Sequence, residues 1–200
     1  MKKIVIVFLV TFFTLNIMAQ GTKPVQLHTE LGYGIEFQDN SYQSFQIYVT
    51  PQYHFNKNIW VGGGVGLMSL IRNLDLSPEE SNKLTLIPVY AASGYNFDIV
   101  GNDIVPFVNL KAGYGFMSKK YQFTNEFVKD PEEPIKMVDF KHTGGLYFSP
   151  SIGADFRLNN KNAVTLSLSY ILRQTKVSYD ERELSNDYNS GMAIMIGYRF

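Results

Sequence analysis

Tyr188-Asn189-Ser190-Gly191-Met192-Ala193-Ile194-Met195-Ile196-Gly197-Tyr198-Arg199-Phe200 closes the chain and decides how the rest is read. Tyr188, Ser190, Met192, Ile194, Ile196, Tyr198 and Phe200 share one face, while Asn189, Gly191, Ala193, Met195, Gly197 and Arg199 share the other. Successive side chains leave opposite faces of a strand, so this period of two reads as β. An apolar edge strand left open to water invites aggregation. The same strand is stable where a closed barrel pairs it with its first neighbour and lipid covers its apolar face.

The other end of the chain agrees with a membrane address. Lys2 and Lys3 precede an apolar run over 4–15, and Ala19 follows shortly after. A positive start, an apolar stretch of about 12 residues and a small residue make a secretory signal peptide, too short for a spanning helix. Cleavage after Ala19 is expected, leaving 20–200 as one barrel domain. The chain has no cysteine, which excludes a lipid-anchored lipoprotein and a disulfide framework. Without Lys2 and Lys3 the net charge is about −2, so nucleic acid is not an expected partner. Mean hydropathy is near zero, the average of an apolar exterior and a polar lumen. Parity along each strand is therefore the informative measure.

That parity recurs. Over 25–37, Leu27, Thr29, Leu31, Tyr33, Ile35 and Phe37 oppose Gln26, His28, Glu30, Gly32, Gly34 and Glu36. Strands are read at 44–55, 59–70, 84–97, 104–116, 145–158, 163–174 and 188–200. Only the stretch Leu84-Thr85-Leu86 leaves its parity ambiguous. Asn56-Lys57-Asn58 is a tight turn, and short turns alternate with longer connections, the longest at 117–144. Pro51, Pro106 and Pro150 take outward parity and Pro88 inward parity. Several prolines in central strands weigh against a sheet, so these four are expected near strand ends or at bulges. The prediction is an all-β, eight-stranded antiparallel transmembrane up-and-down barrel. Turns and both termini are periplasmic, and longer loops are extracellular.

With these features the chain resembles the small eight-stranded outer-membrane β-barrel proteins of Gram-negative bacteria, of the OmpX and OmpA barrel type. The resemblance covers nearly all of 25–200. It rests on the signal peptide, on aromatic-ended amphipathic strands such as Pro106-Phe107-Val108-Asn109-Leu110-Lys111-Ala112-Gly113-Tyr114-Gly115-Phe116, and on the ending Ile194, Ile196, Tyr198, Phe200. It implies residence in the outer membrane after export through the periplasm, with outer-membrane lipid around the barrel. It also implies that Ile196, Tyr198 and Phe200 form the assembly signal read by the barrel assembly machinery. Glycine is frequent five residues before the end of such signals, and here Met195 stands there. No periplasmic domain of the OmpA kind is expected after the barrel.

Glu30, Glu36, Lys111, Asp155, Arg157, Arg173 and Arg199 all carry lumen parity. Eight strands enclose a space that side chains alone can fill, so a charged, hydrogen-bonded plug is expected. Inward Tyr48, Met68, Tyr90, Phe107 and Tyr147 argue against a wide pore. If Phe37 pairs with Phe45, His28 stands opposite His54 with Glu30 beside them. Two histidines and a carboxylate suit a metal, but no motif of fixed ligand spacing is present and no metal is assigned. His142 lies near Ser118, Asp130, Asp139 and Thr143, yet no spacing sets up a nucleophile and its base, so no catalytic residue is assigned. Gly62-Gly63-Gly64-Val65-Gly66 lacks the lysine of a phosphate loop and reads as room for close approach. No cofactor is expected.

The segment 117–144 holds two strand-like stretches around Asp130-Pro131-Glu132-Glu133-Pro134, a turn-rich tip. It reads as a hairpin continuing the fifth and sixth strands above the membrane. Its five lysines and five acids balance. Tyr121, Phe123, Phe127 and Phe140 are the candidate binding residues, because exposed aromatics and strand edges suit contact with a partner. The functional expectation is a non-enzymatic surface protein contacting an extracellular protein or glycan. The alternative is a lipid-A-modifying barrel enzyme or a narrow channel. A soluble ligand carrier is disfavoured, because it would turn its apolar face inward.

Overall fold

In a computed structural model, which describes residues 25–37, 42–72, 83–97, 103–124, 137–158, 162–179 and 182–200, eight antiparallel strands follow one another around a closed barrel. They are β1 (Val25–Glu36), β2 (Tyr42–His54), β3 (Ile59–Arg72), β4 (Lys83–Asn96), β5 (Ile104–Thr124), β6 (Met137–Arg157), β7 (Ala163–Tyr179) and β8 (Arg182–Arg199). Closure pairs β8 with β1 from His28↔Arg199 to Glu36↔Gly191. The Phe200 amide adds a 2.9 Å bond to the Leu27 carbonyl. Both ends of the barrel chain thus lie at one rim, called the turn rim here.

Parity sets the two surfaces. Leu31, Ile152, Ile194 and Leu168 point outward and are exposed, whereas Glu30 and Lys111 point inward and are 1–2 % exposed. That is the arrangement of a barrel whose solvent is hydrocarbon. Leu84 and Leu86, ambiguous in sequence, face the lumen and are buried, with Thr85 and Ile87 outside. At the turn rim the Asn56 side chain accepts from the amides of Asn58 and Ile59, each at 2.8 Å, which closes the β2–β3 turn. Aromatic pairs ring this rim: Tyr53 with Phe55, Tyr95 with Phe97 and Tyr198 with Phe200, at centroid distances of 5.2, 5.0 and 4.7 Å. Such amphipathic rings settle at a bilayer interface.

Three expectations are corrected. First, the β1–β2 register sets His28 against Thr50 and Tyr33 against Phe45, so His28 and His54 are not partners. Register in a barrel is fixed by closure around all strands, which a single hairpin does not reveal. Second, the prolines do not mark bulges. Pro51, Pro88 and Pro150 interrupt one ladder each without shifting its register. The shifts fall at Gly115/Ser118, Gly144/Tyr147 and Val177/Ser178. A missing N–H removes a ladder bond but inserts no residue. Third, the later strands are longer than their apolar stretches indicate. β5 and β6 stay paired to Thr124↔Met137, and β7 and β8 to Tyr179↔Arg182.

Candidate functional site

Two regions hold chemistry: the lumen and the strands beyond its rim. In the middle of the lumen Lys111 Nζ donates to Glu30 Oε2 at 2.5 Å and lies 4.4 Å from the centre of the Tyr48 ring. Tyr147 Oη donates to Tyr48 Oη at 2.9 Å, and Tyr48 Oη to Gln46 Oε1 at 2.9 Å. The Tyr90 and Thr50 hydroxyls are bonded at 2.8 Å. Glycines make this hub fit. Tyr48 pairs with Gly66, Tyr90 with Gly64 and Gly113, and Tyr147 with Gly113. A Cβ on Gly66 would stand 2.3 Å from the Tyr48 ring, so the three rings meet where each has a glycine as a cross-strand neighbour.

Below the hub, Arg199 donates to Asp155. Above it, Arg173 Nη2 donates to Glu36 Oε2 at 2.8 Å. Beside that pair the lumen becomes apolar, with Met68, Leu70, Leu84, Leu86 and Met117 buried together. A wholly polar interior is therefore not what the upper lumen offers. The structure joins Glu30 with Lys111, Asp155 with Arg199 and Glu36 with Arg173. Arg157, at the end of β6, is exposed at the turn rim. On the outer face Ile196 and Phe200 are exposed and Tyr198 is half-buried.

One arrangement was not foreseen. His28 Nε2 and Thr165 Oγ1 are 3.0 Å apart, with Glu30 Oε2 3.9 Å from His28 Nδ1. The spacing resembles a nucleophile, base and carboxylate. Gln52 Nε2, however, contacts Nδ1 at 3.3 Å as a donor, which leaves the ring proton on Nε2 facing Thr165. All three residues are at most 2 % exposed, with no room for a substrate. Pairing of β1 with β8 and of β7 with β8 creates the contact, and no local spacing announces it. Among the described residues no group of three or more His, Cys, Asp or Glu is placed to hold a metal ion.

Beyond the loop rim the two halves of the barrel differ. β4 and β5 pair only up to Ile87↔Phe116, and β8 pairs with β1 only up to Glu36↔Gly191. Past those levels β5, β6, β7 and β8 continue as a four-stranded sheet. Its register brings Tyr121 opposite Phe140, Phe123 opposite Val138 and Lys119 opposite His142. Phe127 and the 130–134 tip lie outside the described residues, as does the expected signal segment.

Comparison with known proteins follows from this architecture. Among solved structures the chain is similar to neisserial surface protein A, with 9% identity, a TM-score of 0.59 and coverage of 90% of this chain and 98% of that one. It is also similar to the outer membrane protein OprG from Pseudomonas aeruginosa, with 14% identity, a TM-score of 0.50 and coverage of 90% and 98%. At such identities the likeness is one of fold. No curated protein matches the chain in sequence. The model of the outer membrane protein beta-barrel domain matches residues 5–200. With a closed eight-stranded barrel, apolar outside and plugged within, this chain belongs to that family of outer-membrane β-barrel proteins.

Proposed function

We propose that the protein is a non-enzymatic, non-conducting barrel of the outer membrane that presents its β5–β8 extension to an extracellular protein or glycan. The observation that carries this reading is the asymmetry of the strands. Among the described residues β5–β8 stay paired with one another past the last β4–β5 and β8–β1 pairs, and that continuation holds sheet edges of the kind used for strand addition. The turn rim, with both chain ends, then faces the periplasm, the signal segment is removed at Ala19, and the aromatic end of β8 serves assembly. The lumen supports the non-conducting part. Tyr48, Tyr147, Phe107, Met68 and Leu86 fill it, each 1–2 % exposed.

A direct test replaces 121–140 by Asn-Gly, a two-residue turn that suits the Lys120↔Lys141 pair. Adhesion of expressing cells to protein-coated and glycan-coated surfaces is expected to fall to background while heat-modifiable gel migration persists. Unchanged adhesion would overturn the reading. Planar-bilayer recording of the intact barrel should show no steady single-channel steps, and ohmic steps would restore the channel alternative.

A further inference from the structure

One seam of the barrel stops pairing while both of its strands go on. β4 stays laddered to β3 as far as Ile71↔Lys83, and β5 to β6 as far as Thr124↔Met137. The ladder between β4 and β5 nevertheless ends at Ile87↔Phe116. Residues 83–86 and 117–124 therefore each carry an edge that no described strand pairs with. Between them lies a cleft of about 570 Å³ lined by Thr85, Ile87, Phe116, Met117, Thr143 and Gly144. Unpaired peptide groups are costly beside hydrocarbon, and Ile87 and Phe116 belong to the exposed apolar belt. On the lumen side the two strand ends already meet, with Leu84, Leu86 and Met117 buried in one apolar cluster. Only the ladder is missing.

At the same level β5 and β6 have places to bend. Phe116 and Met117 stand against Gly144 alone where the β5–β6 register shifts. Gly145 and Leu146 stand against Gln174 alone where the β6–β7 register shifts. Each is a bulge, which bends its strand and takes peptide groups out of the ladder. Side chains take up those groups. Tyr114 Oη donates to the Gly144 carbonyl at 2.9 Å, and the Leu146 amide donates to Gln174 Oε1 at 3.2 Å. A sheet held here by side-chain bonds opens locally at lower free energy than an unbroken ladder.

We infer that the β5–β6 arm swings at these bulges and that the end of β4 zips onto β5, continuing the register of the ladder below as Leu86↔Met117, Thr85↔Ser118, Leu84↔Lys119 and Lys83↔Lys120. Zipping closes the cleft and satisfies both edges. It also occupies half of the β5 edge at 117–124 and leaves 121–124, shorter than the roughly five or six residues of an ordinary strand. The end of β4 is thus an internal competitor for the edge that a partner's strand uses, and a bound partner holds the seam open. The competition rests on the surface-contact function, whereas the zipping does not.

The chain has no cysteine, so engineered pairs report on the seam alone. Full barrels in lipid vesicles carrying Thr85→Cys with Ser118→Cys are oxidised and their cross-linking followed on gels. Zipping brings that pair to about 5.5 Å between Cα atoms, within disulfide reach. Its yield should match that of Ser69→Cys with Thr85→Cys, neighbours in the β3–β4 ladder. Its rate should exceed that of Thr85→Cys with Thr143→Cys at least about tenfold, because in the zipped state Thr143 lies two strand spacings from Thr85, roughly 10 Å. Leu84→Cys with Lys119→Cys, the next register pair, is the second trap if the first does not fold. Gln174→Ala frees the Leu146 amide and should raise the trapping rate; an unchanged rate would overturn the hinge. On cells, the oxidised Thr85/Ser118 barrel should lose adhesion to protein-coated surfaces and regain it with reductant. Cross-linking no faster than that of Thr85 with Thr143 would overturn the inference, as would undiminished adhesion of the locked barrel. If the unmodified protein never adheres, the surface-contact function fails instead, and cross-linking alone decides whether the seam zips.

Discussion

The wall formed by β1–β4 and the wall formed by β5–β8 obey the same parity and end at different heights. β1 to β4 run 12 to 14 residues, while β5 to β8 run 17 to 21. A tilted crossing needs roughly 9–11 residues, so the first half is little more than a membrane wall. The second half carries a surplus that cannot be dissolved in lipid. Below the rim each strand has two ladder partners and one face against a packed lumen. Above it, among the described residues, the sheet has two edges. The comparison separates what keeps the barrel folded from what is free to meet a partner.

The largest expected effect lies below the rim. Lys111→Met leaves the Glu30 carboxyl enclosed without its 2.5 Å partner, and breaking a buried pair in this way costs about 3–5 kcal/mol. Urea-titrated folding into lipid vesicles should show that loss, and Lys111→Met with Glu30→Leu should recover most of it. A double variant as unstable as the single one would mean the pair is not the unit of stability.

A smaller effect sharpens the contrast between belt and extension. Leu168→Arg on the outer face of β7 should destabilise by about 2–4 kcal/mol, the penalty for a cation on the lipid face. Asn186→Arg, exposed on β8 past its last pair with β1, should cost less than about 1 kcal/mol, the worth of its one bond from Gln174. Similar losses at both sites would erase the boundary drawn here.

The smallest effect is dynamic. Amides of 118–124 and 182–187 should exchange hydrogen at least about tenfold faster than those of 105–115 and 192–199, because edge strands open locally at lower free energy. Uniform protection from Ile104 to Thr124 would argue that the extension is covered.

Much of this was legible along the chain. The alternation ending in Phe200 and its repeats marked eight strands and their outward faces, because a side chain's face depends only on its position in its own strand. Asn56-Lys57-Asn58 marked its turn for the same local reason. His28 shows where legibility stops. Its partners Thr165 and Gln52 come from β7 and β2, and the attractive pairing with His54 was a register error. Leu84 and Leu86 show a second kind of stop. An apolar residue is equally at home in lipid and in a dry lumen, so hydrophobicity alone does not assign its side.

Strand number, inside and outside, and the membrane as solvent were thus determined by residue order alone, through a period of two that needs no long-range information. Register, strand height and the partners of each buried charge were decided by closure. Glu30 meets Lys111 across 81 positions, and Glu36 meets Arg173 across 137. Those meetings depend on how eight strands stagger around one ring, a condition that no single strand contains.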